Sequence, residues 1–540
     1  MSHDSTQENI GSHKVNQPNI HRPNVLLITA DQWRGDCLSA MGHPLVNTPN
    51  LDKLAQQGVL FERHYAGAAP CSPARACLYT GLYQMTNRVC VNGSPLDSRH
   101  DTLALAFRRL GYDPTLFGYT DQAQDPRQIH PNDPTLTSYE GLLPGFSWRV
   151  SIPDQQYPFL SWLKSKGYDD ALSDISMHIP ESGVDDPPQG QVPRFAAEHT
   201  ETAFLVDEFQ RWLSEQTLHT RSQPEHRWFA HVSFLRPHPP FTVPAPYDKM
   251  VSADDVPAFL GSSNPKTTAA MHPLLEWIIE YNVKSSFIWG AKGHARDWTQ
   301  RDLKQIAATY FGMVAEVDAQ IGRMMQSLED SGCLDNTVVI FTSDHGEQLG
   351  DHTLLGKHGF FDSSYHIPLI IRDPAASKTR GARIRSFTEC IDLFPTLMER
   401  MDAPIPAQLD GYSLHSIINT GVTPAHWRKA AHWEFDFRSV VDSEAENRFN
   451  LSHTQCNLSV LRREDYKYVH FTGLEPVLFD LVTDPQETTN VAGSSEYQSV
   501  QLDCAQELLS WRAQHLDQTL ALKALTKDGV ISDTRTPALS

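Results

Sequence analysis

The chain has 540 residues, of which 40% are apolar, enough to bury the core of one large domain and a smaller one. Its 45 basic and 65 acidic residues give a formal net charge of −20, which opposes general adhesion to nucleic acid or to anionic lipid. Because of this negative net charge, an anionic ligand would need locally concentrated cations. No segment contains the roughly 20 consecutive apolar residues needed to span a bilayer.

Targeting and redox features of the sequence are plain. Residues 1–20 are polar and contain no basic stretch followed by an apolar run, so they do not resemble a signal peptide. The eight cysteines are sparse and form no Cys-x-x-Cys pair, which favours reduced thiols over a disulfide framework. Together these features predict a cytoplasmic protein with no membrane partner and no nucleic-acid partner.

Apolar runs alternate with helical patterns along most of the chain. Strands are predicted at 24–29, 115–119, 228–235, 337–343 and 367–371, and helices lie between them, for example over 48–58 and 303–328. Strands that alternate with helices predict an α/β fold with a large, mostly parallel sheet between helices.

We divide the chain into a polar tail (1–20), a large α/β domain (21–426) and a smaller C-terminal α+β domain with an extended tail (427–540). The small domain has strand candidates at 466–471 and 477–481 and a helix near 498–515. The stretch 121–195 is rich in Pro, Asp and Gly and weakly periodic, so it is expected to form insertions over the site rather than core. The tail 516–540 is weakly amphipathic and could wrap a neighbouring subunit, which suggests a homo-oligomer, a dimer or a tetramer.

Polar side chains directly follow three of the predicted strands. Asp31 and Gln32 follow the first, His238 follows the third, and Asp344 and His345 follow the fourth. Sites in open α/β sheets lie beyond the carboxyl ends of the strands. The two carboxylates, the amide oxygen and the imidazole of His345 could hold one divalent ion, for which Ca²⁺ and Mn²⁺ are both suitable. Each pair taken alone is more often a cap or a solvated loop.

The segment Cys71-Ser72-Pro73-Ala74-Arg75 resembles the sulfatase signature whose cysteine is oxidised to an aldehyde by a formylglycine-generating enzyme. An isolated match of five residues would favour a buried cysteine in a turn, since short motifs recur by chance. This match is accompanied by similar segments at 22–25, 48–52, 342–347, 479–481 and 484–487. The chain therefore resembles the formylglycine-dependent sulfatases of the alkaline-phosphatase-like superfamily, with 21–426 as the catalytic domain.

Within that superfamily the chain is similar to the bacterial phosphonate monoester hydrolases and their arylsulfatase relatives. Three features carry this similarity: Ala74 before the arginine, the pair Asp31-Gln32 and the pair Asp344-His345. Asp121 departs from the pattern, because the phosphonate hydrolases carry a threonine at this point. A carboxylate there could repel an anionic phosphonate or bind a cationic group of the substrate.

The resemblance also implies a mechanism. Formylglycine at position 71 is hydrated, and one of its hydroxyl groups, bound to the metal ion and deprotonated, attacks the sulfur or phosphorus of a small anionic ester. Arg75 would orient the hydrate, Lys357 would contact the non-bridging oxygens, and His238 is the candidate general acid for the leaving oxygen. Asn92 and Tyr119 match positions that hydrogen-bond the anion. Both also have structural explanations, as a turn residue and as the end of a strand.

Several functions compete. In the leading prediction, an ester hydrolase, sulfate monoesters compete almost equally with phosphonate monoesters and phosphodiesters. A phosphomonoesterase is disfavoured, because a single-metal site suits a singly charged ester better than a dianion. A catalytically silent relative with unmodified Cys71 would bind anions without cleaving them. A hydrolase that uses Ser72 or an unmodified Cys71 as its nucleophile is the third alternative, but no Gly-x-Ser-x-Gly elbow surrounds either residue.

Overall fold

The computed structural model describes residues 22–532, apart from 153–155, 169–172, 174–175, 181–182, 185–187, 189 and 522. The predicted polar tail 1–20 and the last residues of the C-terminal tail lie outside the described residues. Among the helices in the described part, none combines the length and the apolar character that a bilayer span requires.

The strands form a main sheet of nine strands, a second sheet of five and a hairpin of two. In chain order the described strands are β1 (Asn24–Ala30), β2 (Val59–Tyr65), β3 (Ala68–Ala69), β4 (Pro114–Gly118), β5 (Ser147–Ser151), β6 (Phe229–Phe234), β7 (Thr337–Thr342), β8 (His366–Arg372), β9 (Ala382–Ile384), β10 (Thr388–Glu389), β11 (Ala431–Asp436), β12 (Asn457–Arg462), β13 (Tyr466–Phe471), β14 (Val477–Asp480), β15 (Lys523–Thr526) and β16 (Gly529–Ser532).

The main sheet has the order β10-β2-β8-β7-β1-β6-β4-β5, with β9 paired to β2. β1 lies near the middle and runs parallel to β6 and β7. All five strands predicted for the large domain are present in this sheet, and the α/β prediction is confirmed. One strand differs in direction: β8 runs antiparallel to both β7 and β2. The connection 343–365 contains only short helical turns, and it lacks the long crossover helix that usually returns a chain for parallel pairing.

Helices cover both faces of the main sheet. Along β1, Val25 and Leu27 belong to one buried core cluster, and Leu26 and Ile28 belong to another. A strand buried on both faces reads as a continuous apolar run, as β1 does. The described helices are α1 (Pro49–Gln57), α2 (Cys71–Thr80), α3 (Gln84–Asn87), α4 (Leu103–Arg109), α5 (Tyr157–Ser165), α6 (Glu201–Ser222), α7 (Pro265–Met271), α8 (Pro273–Tyr281), α9 (Gln300–Asp330), α10 (Asp362–Tyr365), α11 (Leu393–Arg400), α12 (His415–Thr420), α13 (Glu444–Phe449) and α14 (Gln498–Gln514).

The second sheet has the order β14-β13-β12-β11-β3. Four of its strands come from the C-terminal part of the chain, where β13, β14 and α14 confirm the predicted elements. The fifth, β3, comes from the large domain and pairs in parallel with β11, so that Ala69 lies opposite Phe435. The second sheet therefore reaches to within two residues of Cys71. The domain boundary at 427 stays a prediction.

The expectation that 121–195 forms only insertions over the site was too simple. β5 extends the main sheet beside β4, and Phe159, Leu163 and Met177 are buried in its core. Short apolar patches in a Pro-rich, weakly periodic stretch gave no helical or strand signal strong enough to predict this. Other parts of the stretch do line the candidate site, as described below.

The described part of the C-terminal tail forms a hairpin of β15 and β16. Its apolar side chains are exposed, with Leu525 at 86%, Val530 at 64% and Ile531 at 58% of full exposure. The suggestion that this tail wraps a neighbouring subunit stays a prediction.

Candidate active site

The residues predicted to carry the chemistry meet at the carboxyl end of the central strands. β7, β1 and β6 are neighbours in parallel register, so the residues that follow them converge on one edge of the sheet. Asp344 lies after β7, Asp31 after β1 and His238 after β6. Helix α2 begins at Cys71 and points its first turn at this edge.

Cys71 and Arg75 lie one turn apart on α2, so their side chains share a face of the helix. Every residue of α2 is buried, and Cys71 is only 6% exposed. Burial and the nearby carboxylate of Asp31 raise the pKa of the Cys71 thiol well above its usual value of 9.0. An unmodified thiol is therefore protonated at neutral pH, which makes it a poor nucleophile.

Arg75 joins the two strand ends. Its Nε donates to Asp344 Oδ2 at 2.9 Å, and its Nη2 donates to Asp31 Oδ2 at 3.1 Å and to the Tyr119 hydroxyl at 3.0 Å. Nη1 donates to Ser233 Oγ on β6 at 2.8 Å. Each nitrogen of the guanidinium thus has a partner, and Nε and Nη2 fix the two carboxylates. Removing one partner of such a buried pair would leave a charge without compensation.

Four potential metal-binding side chains converge. One ligand atom each from Asp31, Cys71, Asp344 and His345 lies within 4.8 Å of the others. The Cys71 Sγ is 3.2 Å from His345 Nε2 and 4.0 Å from Asp31 Oδ1. Burial would raise the pKa of Asp31, but the charges around it, with Arg75 among the strongest, hold that pKa well below 3.8. The Asp31 carboxylate is therefore ionised at neutral pH.

Gln32, Lys357 and His238 lie beside this group. The Lys357 ammonium donates to Gln32 Oε1 at 2.8 Å and to His238 Nε2 at 3.0 Å. Because Nδ1 of His238 contacts the carbonyl oxygen of Pro239 at 2.7 Å, the imidazole carries its proton on Nδ1 and accepts at Nε2. Burial and the charge of Lys357 lower the pKa of His238 to about 3. To act as an acid, His238 must gain its proton when a negative charge enters the site.

The three predicted substrate contacts surround the start of α2. Asn92 Oδ1 accepts from the backbone N–H of Ser72 at 3.0 Å, and Asp121 accepts from the Ser72 hydroxyl at 3.2 Å. The Tyr119 hydroxyl donates to Asp31 Oδ2 at 2.6 Å. Together with Cys71, these three line a cavity of about 400 Å³. Burial raises the pKa of Asp121 to about 7, and the residue has a left-handed backbone with φ of 54°.

Sequence reasoning missed several residues of the site. Glu347 contacts Gln32 through a short hydrogen bond and also accepts from the backbone N–H groups of Leu349 and Gly356. Glu347 is the last residue of the motif Thr342–Glu347, and this position was the sequence signal that could have identified it as part of the site. Tyr139, Glu140 and Trp289 line the cavity, but their segments lie far from every strand end in the sequence and carry no motif.

An α/β sheet with a charged cluster of this composition beyond its central strands defines an alkaline-phosphatase-like hydrolase fold. The Sulfatase family model matches residues 23–403, and a model described as N-sulphoglucosamine sulphohydrolase, C-terminal, matches residues 350–514. The chain belongs to the sulfatase family. The resemblance inferred from the segment 71–75 is thereby confirmed. Enzymes of this family generally use a metal ion and a formylglycine.

Three relatives show which members of the family this chain is similar to. The crystal structure of a phosphonate monoester hydrolase of Agrobacterium radiobacter matches this chain with a TM-score of 0.91 and a sequence identity of 55%. The match covers 95% of this chain and 99% of that one. The multifunctional alkaline phosphatase superfamily protein PehA of Trinickia caryophylli is 39% identical over 92% of this chain and 97% of its own. An arylsulfatase of Clostridium perfringens is 28% identical over 88% of this chain and 91% of its own.

Proposed function

We propose that this protein hydrolyses sulfate monoesters and phosphonate monoesters or phosphodiesters through a formylglycine made from Cys71. One observation carries the proposal: the Cys71 Sγ lies 3.2 Å from His345 Nε2, inside a buried group of side chains able to hold a metal ion. Two of the relatives are named as a phosphonate monoester hydrolase and an arylsulfatase. Both reactions break a bond from a tetrahedral anion to an ester oxygen, so one site can serve both.

The donor set fits one divalent ion. Asp31 Oδ1 faces the cluster with the Cys71 sulfur at 4.0 Å, while its other oxygen is held by Arg75 and Tyr119. Arg75 supplies one positive charge to the two buried carboxylates, and a divalent ion would compensate their remaining negative charge. We propose Asp31, Gln32, Asp344 and His345 as the ligands. Oxygen ligands suit Ca²⁺, and the imidazole makes Mn²⁺ equally suitable.

The hydrated aldehyde of a formylglycine at position 71 would supply the attacking oxygen, and the metal ion would lower the pKa of that hydroxyl. The chain's own residues then prepare the site. Arg75 holds one oxygen of each of the Asp31 and Asp344 carboxylates, which orients both side chains toward the site of the ion. Burial would lower the pKa of Lys357, but the Cys71 position and the carboxylates of Asp31 and Asp344 raise it, so its ammonium stays charged and can bind a non-bridging oxygen of the ester.

His238 is proposed as the proton donor to the leaving oxygen. The ammonium of Lys357 now donates to its Nε2. An ester oxygen that binds Lys357 would draw the ammonium away from the ring and place negative charge near it, and both changes raise the pKa of His238. The proton would then be held at Nε2, the atom that the Lys357 ammonium now contacts.

Maturation and assembly are part of the proposal. Cys71 is buried in the first turn of α2, so we propose that a formylglycine-generating enzyme acts on it before the chain has folded. The exposed apolar side chains of the β15–β16 hairpin favour a homo-oligomer. The free cysteines favour a cytoplasmic enzyme. The Lys357 ammonium supplies the local cation that a small anionic ester needs in a chain of net charge −20.

A catalytically silent, anion-binding protein with unmodified Cys71 is the second candidate. The raised thiol pKa favours it over a thiol hydrolase, because the protonated sulfur cannot attack an ester. The two candidates are separated by measuring the hydrolysis of 4-nitrophenyl sulfate and 4-nitrophenyl phenylphosphonate in protein made with a formylglycine-generating enzyme and in Cys71→Ala. Equal rates in both proteins would reject the proposed nucleophile.

A further inference from the structure

Part of the lining of the active-site cavity, outside the catalytic cluster, is acidic and aromatic. Asp121 and Glu140 contribute two carboxyl groups to the lining, and Tyr139 and Trp289 contribute two rings. None of these groups is needed to hold the metal ion or to activate the residue at position 71. They therefore bear on which ester enters the cavity.

Asp121 is a buried carboxyl group with no cationic partner among the described residues. It is 3% exposed, and its carboxylate accepts a hydrogen bond from the Ser72 hydroxyl at 3.2 Å. In the described part of the chain, no Lys, Arg or His nitrogen lies within ion-pair distance of it. The nearby Asp31 and Asp344 are both paired with Arg75. A buried carboxylate is costly unless it is paired, so Asp121 has a charge that a ligand could neutralise.

The segment that carries Tyr139 and Glu140 is fixed beside Asp121. Thr120 Oγ1 donates to the carbonyl oxygen of Gly141 at 2.8 Å and accepts from the backbone N–H of Leu143 at 3.0 Å. A Cβ at Gly141 would lie 2.6 Å from the carbonyl oxygen of Gln122, so the two backbones approach closely. The two carboxyl groups are consequently presented to the cavity from adjoining, interlocked segments.

Aromatic rings beside carboxylates are the groups that recognise an organic cation. A ring face attracts ammonium and quaternary ammonium groups, and a carboxylate adds a direct charge interaction in a site shielded from water. The ring of Trp289 is half-buried and packs edge-on against the ring of His178, with the ring centroids 5.2 Å apart. This contact restricts the orientation of Trp289 in the lining of the cavity. Tyr139 is 38% exposed and lines the same cavity.

We propose that the preferred ester carries a positively charged nitrogen, an ammonium or quaternary ammonium group, on the substituent that lies against Asp121, Glu140 and Trp289. The inference rests on the proposed function and narrows it to zwitterionic esters. The ester anion lies against Lys357, and the cation lies against the acidic part of the lining. A neutral substituent of the same shape leaves the Asp121 carboxylate buried and unpaired, which lowers its kcat/KM.

The test uses two phosphodiesters with the same leaving group and shape. The value of kcat/KM is measured at pH 8 for 4-nitrophenyl phosphocholine and for 4-nitrophenyl 3,3-dimethylbutyl phosphate, in which carbon replaces the charged nitrogen. Wild-type protein, converted at position 71 and loaded with metal, is expected to prefer the choline ester at least tenfold. The double variant Asp121→Asn/Glu140→Gln is expected to bring the ratio within about twofold of unity. The matched control Glu496→Gln/Asp503→Asn removes the same charge from the exposed surface and is expected to keep the wild-type ratio.

A wild-type ratio near or below one would overturn the proposal, and so would a preference that the double variant retains. Hydrolysis of 4-nitrophenyl phenylphosphonate is measured in parallel, so that failure of the proposed function is recognised by itself. In that event the cation preference is read from binding, by calorimetry on Cys71→Ala with methyl phosphocholine and methyl 3,3-dimethylbutyl phosphate. Equal affinities for these two diesters reject the inference independently of turnover.

Discussion

The ammonium group of Lys357 donates a hydrogen bond of 2.8 Å to the side-chain oxygen of Gln32. Lys357 thus contacts Gln32, a proposed metal ligand, but is not itself a proposed ligand. Asp344, by contrast, belongs to the group of side chains that could hold the ion. We expect Lys357→Ala to keep its metal and to lose roughly 10²–10³-fold in kcat, since one preorganised donor is removed. Asp344→Ala should lose metal and activity together.

Metal content by mass spectrometry and kcat are measured on the same preparations. Lys53→Ala, which removes a lysine that is 55% exposed, is the control and should match wild type in both. Equal metal loss in Lys357→Ala and Asp344→Ala would show that the lysine supports the ion and not the substrate.

Oxidation at position 71 changes the mass of one peptide. Protein made with a formylglycine-generating enzyme should show a loss of about 18 Da at Cys71, the difference between cysteine and formylglycine. Cys77, six residues along the same helix, should keep its mass and serves as the internal control. Cys71→Ser should be nearly inactive, because serine cannot form an aldehyde hydrate. Fully active protein with only free thiol at position 71 would exclude the formylglycine.

Arg75 stabilises the fold through the carboxylates of Asp31 and Asp344. Arg75→Ala is expected to lower the free energy of unfolding by about 3–5 kcal/mol, since it leaves buried charges unpaired. Added Ca²⁺ should recover part of this loss, because a bound ion compensates the same carboxylates. Urea unfolding with Ca²⁺ and with chelator measures both effects. Arg301→Ala, at a side chain that is 76% exposed, should change stability by less than about 0.5 kcal/mol.

The raised pKa of Asp121 gives stability a defined dependence on pH. In the folded state this carboxyl has a pKa of about 7, against an ordinary value of 3.8, so the folded protein binds its proton more tightly than the unfolded chain does. Its contribution to stability is therefore fully present below about pH 4 and is lost as pH rises through 7. Asp121→Asn has no such loss, and its stability relative to wild type should rise between pH 4 and 8 by up to about 4 kcal/mol.

Unfolding of wild type and Asp121→Asn in urea across this range tests the assignment. Because both proteins share every other titrating group, their difference isolates Asp121. A difference that stays constant with pH would mean that Asp121 is ionised throughout.

Asp121 should also bias the choice of anion. We expect Asp121→Thr to shift the ratio of kcat/KM toward 4-nitrophenyl phenylphosphonate and away from 4-nitrophenyl sulfate. Both esters carry a single negative charge, so the shift must come from contacts to the group that differs, a carbon substituent in one and an oxygen in the other. An unchanged ratio would remove Asp121 from the discrimination between these two anions.

The sequence predicted the parts of the molecule that depend on local pattern. Continuous apolar runs gave the strands, and polar residues directly after them, such as Asp31 and Asp344, gave the cluster, because parallel strand ends must meet. The antiparallel direction of β8 and the core packing of Phe159 depend on tertiary contacts that no local period records. Trp289 and Glu140 reach the cavity through loops, whose paths are set by packing rather than by pattern.

β3 connects the second sheet to α2, the helix that begins with Cys71. Ala68 and Ala69 pair with Glu434 and Phe435, and α2 begins two residues later at Cys71. A chain cut at residue 426 would lose the strand that fixes this approach, and the start of α2 would no longer be anchored. The catalytic part is therefore not a transferable module: grafts, truncations and domain exchanges must carry β11–β14 with it to keep residue 71 in register with the ends of β1 and β7.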